Sequence, residues 1–185
     1  MPDEINANIS PTEFELLVKE HLEGAGKELK DFKATHNVHL LKSDGEYQID
    51  IYAEFEVLGP SFKVLVECKR HKNEIKREVI QILYDKLRAT GAHKGMLFWT
   101  SGFQSGAYKF AEEHGIALIR VIEGRYTYET KSFGKQTYDP PSWADIPKYG
   151  GQYTRGTTTT YLQKGYFEDL GEFLFGNQIK ESKNK

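Results

Sequence analysis

The chain has 185 residues, 38% hydrophobic and 28% charged, and this length suffices for one domain that buries roughly 70% of the surface of its unfolded chain. Its single cysteine excludes an internal disulfide and favours a reducing, cytoplasmic compartment, and no apolar run approaches the ~20 residues of a membrane span. The formal net charge of -2 does not exclude a nucleic-acid partner, because local clusters of cations matter more than the total.

The first predicted helix begins at a capping sequence. Ser10 is a capping residue, Pro11 suits the first helical position, and Glu13 stands three residues after the cap. Glycines at positions 24 and 26 predict where the helix ends. Apolar residues recur between these signals at helical spacing: Phe14, Leu17, Val18, Leu22 and Ala25.

Three extended segments follow, at residues 32–41, 47–56 and 62–69. The third is almost continuously apolar at its centre, so we expect it to lie in the middle of a sheet. A glycine and a proline between the second and third segments predict a hairpin. The second segment alternates strictly, which predicts one apolar face made of Tyr47, Ile49, Ile51, Ala53 and Phe55.

The next part of the chain alternates helices and strands. A helix is predicted over residues 73–90, followed by the strand "KGMLFWT", a helix in "SGFQSGAYKFAEEHG" and the strand "IALIRVI". Strands separated by single helices indicate parallel pairs, so residues 1–122 are predicted to form an α/β domain with about five strands. The apolar stripe of the helix at 73–90 is predicted to be Ile75, Val79, Ile82, Leu83 and Leu87.

Residues 123–185 have a different character, because they are rich in tyrosine and glycine and show little periodicity. We expect this extension either to cover an edge of the sheet or to contribute to a homodimer, since tyrosine is enriched at protein interfaces. The final residues, "KESKNK", are predicted to fray. One short amphipathic helix is predicted from Phe167, Leu170, Phe173 and Leu174.

Charged residues collect where the third strand ends. Glu67 and Lys69 are two apart and share one face of that strand, while Cys68 points to the other face as a core residue. Across the predicted hairpin, position 50 lies opposite about position 68. A slip of one or two residues in the pairing therefore brings Asp50 beside Glu67.

Two carboxylates and a lysine at one place suit metal-dependent hydrolysis of a phosphodiester. Mg²⁺, for which Mn²⁺ substitutes, binds one or two carboxylates together with water and substrate phosphate. We expect Asp50 and Glu67 to hold the metal, with the backbone carbonyl of Cys68 as a further ligand. Lys69 would orient or deprotonate the attacking water. The alternative is a surface ion pair at a strand end, which contributes little.

A run of basic residues follows this site directly. Glu74 is the only acid within this run. Because the run lies next to the carboxylates, it is predicted to contact the phosphates of DNA. The alternative is an ordinary solvated surface. The run consists of Arg70, His71, Lys72, Lys76 and Arg77.

The same residues resemble the PD-(D/E)xK nuclease superfamily and, within it, the Mrr-like restriction endonuclease domain, over residues 10–122. Four stretches carry the resemblance in order: "SPTEFELLVKEHL", "GEYQIDIYAEF", "VLVECKRHK" and "KGMLFWTSGFQSGAYKFAEEHGIALI". The resemblance implies a three-layer core of helices around a mixed sheet. It also implies a first-helix glutamate near the metal, matched here by Glu15, and an accessory glutamine, matched weakly by Gln81. Mrr-like proteins often have glutamine where this chain has Glu67. The glutamate matches the triad that is general in the superfamily.

The resemblance implies a metal-dependent DNA endonuclease that defends against foreign or modified DNA. Two alternatives remain open. One is a repair or junction-resolving nuclease on the same fold, because fold does not determine substrate. The other is a DNA-binding subunit that does not cleave, against which the intact set of Asp50, Glu67 and Lys69 argues.

Overall fold

The structure is a computed structural model that describes residues 9–27, 29–56, 59–70, 72–123, 149–155, 158–162 and 173. His71, the final residues predicted to fray and most of the helix predicted around residue 170 lie outside the described residues. No helix in the described part of the chain is long and apolar enough to cross a membrane. In chain order the elements are α1 (Pro11–Ala25), β1 (Lys33–Lys42), β2 (Gly45–Glu56), β3 (Ser61–Lys69), α2 (Arg77–Thr90), β4 (Lys94–Trp99), α3 (Ser105–Glu113), β5 (Ile116–Glu123), β6 (Tyr149–Arg155) and β7 (Thr158–Leu162).

The strands form one mixed sheet in the order β1-β2-β3-β4-β5-β6-β7. Strands β3, β4 and β5 are parallel, and the pairs on either side of them are antiparallel. Helix α1 packs on one face of the sheet, and helices α2 and α3 contribute to a second buried cluster on the other. This arrangement confirms the predicted α/β fold with three layers, and β3 lies in the interior of the sheet, next to the central strand β4. The sheet has seven strands rather than about five because β6 and β7 extend it beyond residue 122.

Helix α1 forms where its capping sequence predicts. The Ser10 hydroxyl accepts the Glu13 backbone N–H at 3.2 Å, and the Glu13 carboxylate accepts the Ser10 backbone N–H at 2.7 Å. Its buried residues are Phe14, Val18 and Leu22, which the apolar periodicity had identified. The reciprocal cap therefore fixes the start of the helix that carries Glu15.

Helix α2 differs from its prediction at its start, since it begins at Arg77 rather than near residue 73. Ile75 is buried, but its backbone pairs with the loop after β4: its N–H donates to the Gly102 carbonyl and its carbonyl accepts the Gln104 N–H. These bonds occupy backbone groups that a helical turn would need. Ile82 is also 59% exposed, so it does not belong to the buried stripe.

Strand β2 does not keep one apolar face along its whole length. In the pairing of β1 with β2, His36 lies opposite Ile51, and Val38 lies opposite Ile49. Asn37, between the two β1 residues, has a left-handed φ of 51°. Ile51 packs on the α1 side of the sheet, whereas Ile49 packs on the side of α2 and α3. The predicted single face is therefore divided at Asp50, and the carboxylate lies where the strand changes face.

The β6–β7 hairpin is expected to be part of the same cooperative unit as the rest of the sheet. Leu162 on β7 is 3% exposed and belongs to the cluster that packs against α1. Leu162→Ala should lower the free energy of unfolding by about 2–5 kcal/mol, measured by urea denaturation. Thr159→Ala, on the exposed part of the same strand, is the matched control and should cost under about 0.5 kcal/mol. Equal, small effects of the two substitutions would show that the hairpin is not packed on the core.

Candidate active site

Asp50 and Glu67 meet at the end of the β2–β3 ladder. The last residues that pair are Ile51 and Val66, so continuing the same register places Asp50 opposite Glu67. The Asp50 carboxylate accepts the backbone N–H of Cys68 at 2.7 Å. This bond holds the carboxylate against β3 where the ladder ends. The observed register places Asp50 opposite residue 67, one residue from position 68, which the sequence had suggested.

The two carboxylates converge on the ammonium of Lys69. Its Nζ lies 3.2 Å from Oδ2 of Asp50 and 3.0 Å from Oε2 of Glu67. Burial alone would lower the pKa of Lys69, but the charges of Glu67 and Asp50 and their hydrogen bonds outweigh burial, so the pKa lies above its ordinary value of 10.5. Lys69 is therefore a cation at neutral pH in this arrangement, which favours an electrostatic role over removal of a proton.

Glu67 is 5% exposed, and a second lysine contacts it. Lys86 on α2 places its Nζ 2.6 Å from Oε1 of Glu67 and donates to the backbone carbonyl of Gln48 at 2.8 Å. The sequence analysis missed this residue. Its position on α2 could have indicated it, because Lys86 lies beside the buried residues Leu83 and Leu87 and not on the opposite, exposed face of the helix.

Cys68 turns its side chain away from the carboxylates into the core on the α1 side. Burial raises the pKa of its thiol well above the ordinary value of 9.0, and the nearby carboxylates raise it further. The thiol is consequently protonated at neutral pH and unsuited to act as a nucleophile. Its backbone N–H, by contrast, takes part in the site through Asp50.

Glu15 lies close to this site but is not bonded to its carboxylates. Its Oε2 is 2.6 Å from Nε2 of His36 on β1, and both side chains are about three-quarters buried. Its negative charge is near enough to raise the pKa of the Cys68 thiol. Glu15 thus approaches the end of the sheet from α1, on the side away from Lys86.

The oxygen atoms of Asp50 and Glu67 are the ligand type that a divalent cation such as Mg²⁺ prefers. No group of three or more histidine, cysteine, aspartate or glutamate side chains in the described part of the chain is arranged to hold a metal ion. Mg²⁺, however, needs only one or two carboxylates because water and phosphate complete its shell. The oxygens of Asp50 and Glu67 converge on a cation already, so the residues fit. Gln81 is half-buried on α2 and makes no hydrogen bond to these carboxylates.

The basic run begins immediately after β3. Arg70, Lys72 and Lys76 are exposed, whereas the Arg77 guanidinium lies over the Phe110 ring at 4.9 Å. The segment is also fastened to the sheet, because the Trp99 indole donates to the Asn73 carbonyl at 3.1 Å. The basic run therefore has three exposed cationic side chains on a segment that is hydrogen-bonded to the sheet through Asn73.

Known proteins are similar to most of this chain. A family model described as restriction endonuclease, of the Mrr catalytic-domain type, matches residues 6–123. The type IV methyl-directed restriction enzyme EcoKMrr of Escherichia coli (strain K12) is 32% identical over 123 residues, which are 63% of this chain and 38% of that protein. The chain thus spans well under half of that relative. A crystal structure of a protein of unknown function, AF1548, matches 56% of this chain and 54% of its own at 25% identity, with a TM-score of 0.46.

Proposed function

The chain belongs to the Mrr-type restriction endonuclease family, and from that premise we propose that it is a Mg²⁺-dependent endonuclease that hydrolyses phosphodiester bonds within DNA. The observation that carries the proposal is the convergence of Asp50 and Glu67 on Lys69 at the end of β3. In a surface ion pair the acid would be exposed. Glu67 is buried instead, at a cost that needs compensation by nearby cations.

In the proposed mechanism, Asp50 and Glu67 would hold the metal, and the backbone carbonyl of Cys68 would be a further ligand. The chemistry that Mg²⁺ would supply there is an acidified water and neutralisation of charge on the scissile phosphate. Lys69, a cation here, orients the attacking water and stabilises the negative charge that develops on the phosphate. Glu15 supports the shell from α1. Gln81 remains a weaker accessory candidate, because Lys86 is the α2 residue that contacts Glu67.

The basic run supplies the contacts that hold the DNA backbone. Arg70, Lys72 and Lys76 would bind phosphates on either side of the cleaved bond, since they follow Lys69 directly and are exposed. His71 belongs to the same proposal. Arg77 contributes less, because its guanidinium is already stacked on Phe110.

Supercoiled plasmid tests both the reaction and its substrate. The wild-type protein should nick or linearise plasmid with Mg²⁺ or Mn²⁺ and stop when EDTA removes the metal. Cleavage that continues in EDTA would contradict the metal assignment. Because the E. coli relative is methyl-directed, methylated, unmethylated and branched DNA should be compared. Preference for methylated DNA would support restriction, and preference for branched DNA would favour the repair or junction-resolving alternative.

A homodimer is the simplest way for one site per chain to cut both strands. Strand β7 lies at the edge of the sheet, in the extension that we propose contributes to the interface. We expect light scattering on the full-length chain to give about twice the monomer mass of 21.2 kDa. A mass of one chain, unchanged at high concentration and with DNA bound, would contradict the dimer.

A further inference from the structure

Lys86 makes two contacts that the proposed mechanism does not use. Its Nζ donates to Oε1 of Glu67 at 2.6 Å and to the Gln48 backbone carbonyl at 2.8 Å. Its side chain is 20% exposed, so much of its length is packed against the protein. One ammonium therefore connects helix α2 to both strands that carry the metal-binding carboxylates.

These contacts bridge a place where the two strands are no longer paired. The β2–β3 ladder ends with Ile51 and Val66, before it reaches Asp50 and Glu67. Beyond that point the strands are joined directly by the bond from Cys68 N–H to Asp50 and by the ion pair of Lys69 with Asp50. Lys86 adds a link from helix α2, because it bonds Gln48 on β2 and Glu67 on β3. Lys86 therefore contributes to the spacing between the two carboxylates.

The two oxygens of Glu67 have different partners. Oε1 contacts Lys86, and Oε2 contacts Lys69, which also contacts Asp50. A metal held by Asp50 and Glu67 would compete with Lys69 for these oxygens, whereas Oε1 could keep its bond to Lys86. Because Glu67 is 5% exposed, loss of Lys86 would leave a buried carboxylate oxygen without its cation.

We infer that Lys86 is a positioning residue that holds Glu67 in the rotamer that directs Oε2 toward the metal site and helps to fix the separation of β2 and β3 there. This inference rests on the proposed function. It concerns a residue that touches neither substrate nor metal and acts through Glu67.

The sign of the effect on metal affinity separates this role from simple charge repulsion. A lysine near a metal site repels the metal, so removing a merely repulsive cation would tighten metal binding. Removing a positioning residue has the opposite result, because Glu67 is then free to leave the metal-binding orientation. We expect positioning to dominate, since Lys86 contacts Oε1 directly and Glu67 has little water to replace it.

Lys86→Met should raise the Mg²⁺ concentration for half-maximal plasmid cleavage by about 10–100-fold, the range found for groups that orient metal ligands. Mn²⁺ affinity, measured by calorimetry without DNA, should weaken in parallel. Lys86→Arg, which keeps the charge and its donors, should restore most of the affinity. Lys109→Met, an exposed lysine on α3, is the matched control and should leave both values unchanged.

The possible results are distinguishable. A wild-type protein that neither cleaves with Mg²⁺ nor binds Mn²⁺ overturns the proposed function and this inference with it. An active wild type with an unchanged or tighter metal response in Lys86→Met overturns the inference alone. If thermal melting shows that Lys86→Met does not fold, Lys86→Gln serves instead. Its amide is neutral and one bond shorter than the lysine side chain, so it does not replace the cation at Glu67 Oε1, and the same weakening of Mn²⁺ binding is expected.

Discussion

Asp50→Asn is expected to reduce plasmid cleavage by about 10²–10³-fold, the scale seen when a group that stabilises transition-state charge is removed. The substitution removes a negative charge from the point where Asp50 and Glu67 converge. It keeps a side-chain oxygen that can accept the Cys68 N–H, so the melting temperature should change little. Cleavage rates at saturating Mg²⁺ and thermal melting measure the two effects separately.

The matched control is Glu54→Gln on the same strand. Glu54 pairs with Lys63 in the ladder, away from Lys69, so its substitution should leave the cleavage rate unchanged. Glu67→Ala and Lys69→Met should fall to the same low rate as Asp50→Asn. A rate like that of the wild type in any one of the three would remove that residue from the mechanism.

Charge reversal in the basic run has the second largest expected effect, and it acts on binding. The triple substitution Arg70→Glu, Lys72→Glu and Lys76→Glu should weaken binding to DNA of every sequence. It should also flatten the dependence of log K on log salt by about 0.9 per lost phosphate contact, or about 2.7 for three. Fluorescence anisotropy with labelled duplexes between low and physiological salt gives both the affinity and the slope.

The control for this prediction is Lys27→Glu, a reversal just beyond the end of α1 opposite to Glu15. It changes the net charge in the same direction without touching the basic run, and its slope should match that of the wild type. A triple variant with an unchanged slope would show that the three exposed cations are solvated and do not contact phosphates.

The fold was predictable from the sequence where one signal dominated locally. The capping residues around Ser10 located α1, and strict alternation located β2. The start of α2 was not predictable, because Ile75 fits a helical stripe in sequence while its backbone pairs with the loop at Gly102. This pairing is a tertiary contact, and the periodicity of apolar residues in the sequence does not predict it.

The site was predictable only in part for the same reason. Counting residues across the predicted hairpin placed Asp50 near Glu67. This was possible because the direction of a side chain on a strand follows from its position in the sequence. The change of face at Asp50 lies beside Asn37 on the neighbouring strand, whose left-handed φ a strand pattern does not reveal. Lys86 was hidden similarly, since only the packing of α2 against the sheet brings it to Glu67.

Direct metal binding tests most sharply the central claim that Asp50 and Glu67 together hold the catalytic cation. Isothermal titration of Mn²⁺ into the wild-type protein, and into the folded Asp50→Asn and Glu67→Ala variants, requires no DNA and no turnover. We predict Mn²⁺ binding by the wild type that either single substitution weakens at least about 10-fold. Mn²⁺ binding of equal strength in the wild type and both variants would contradict this assignment.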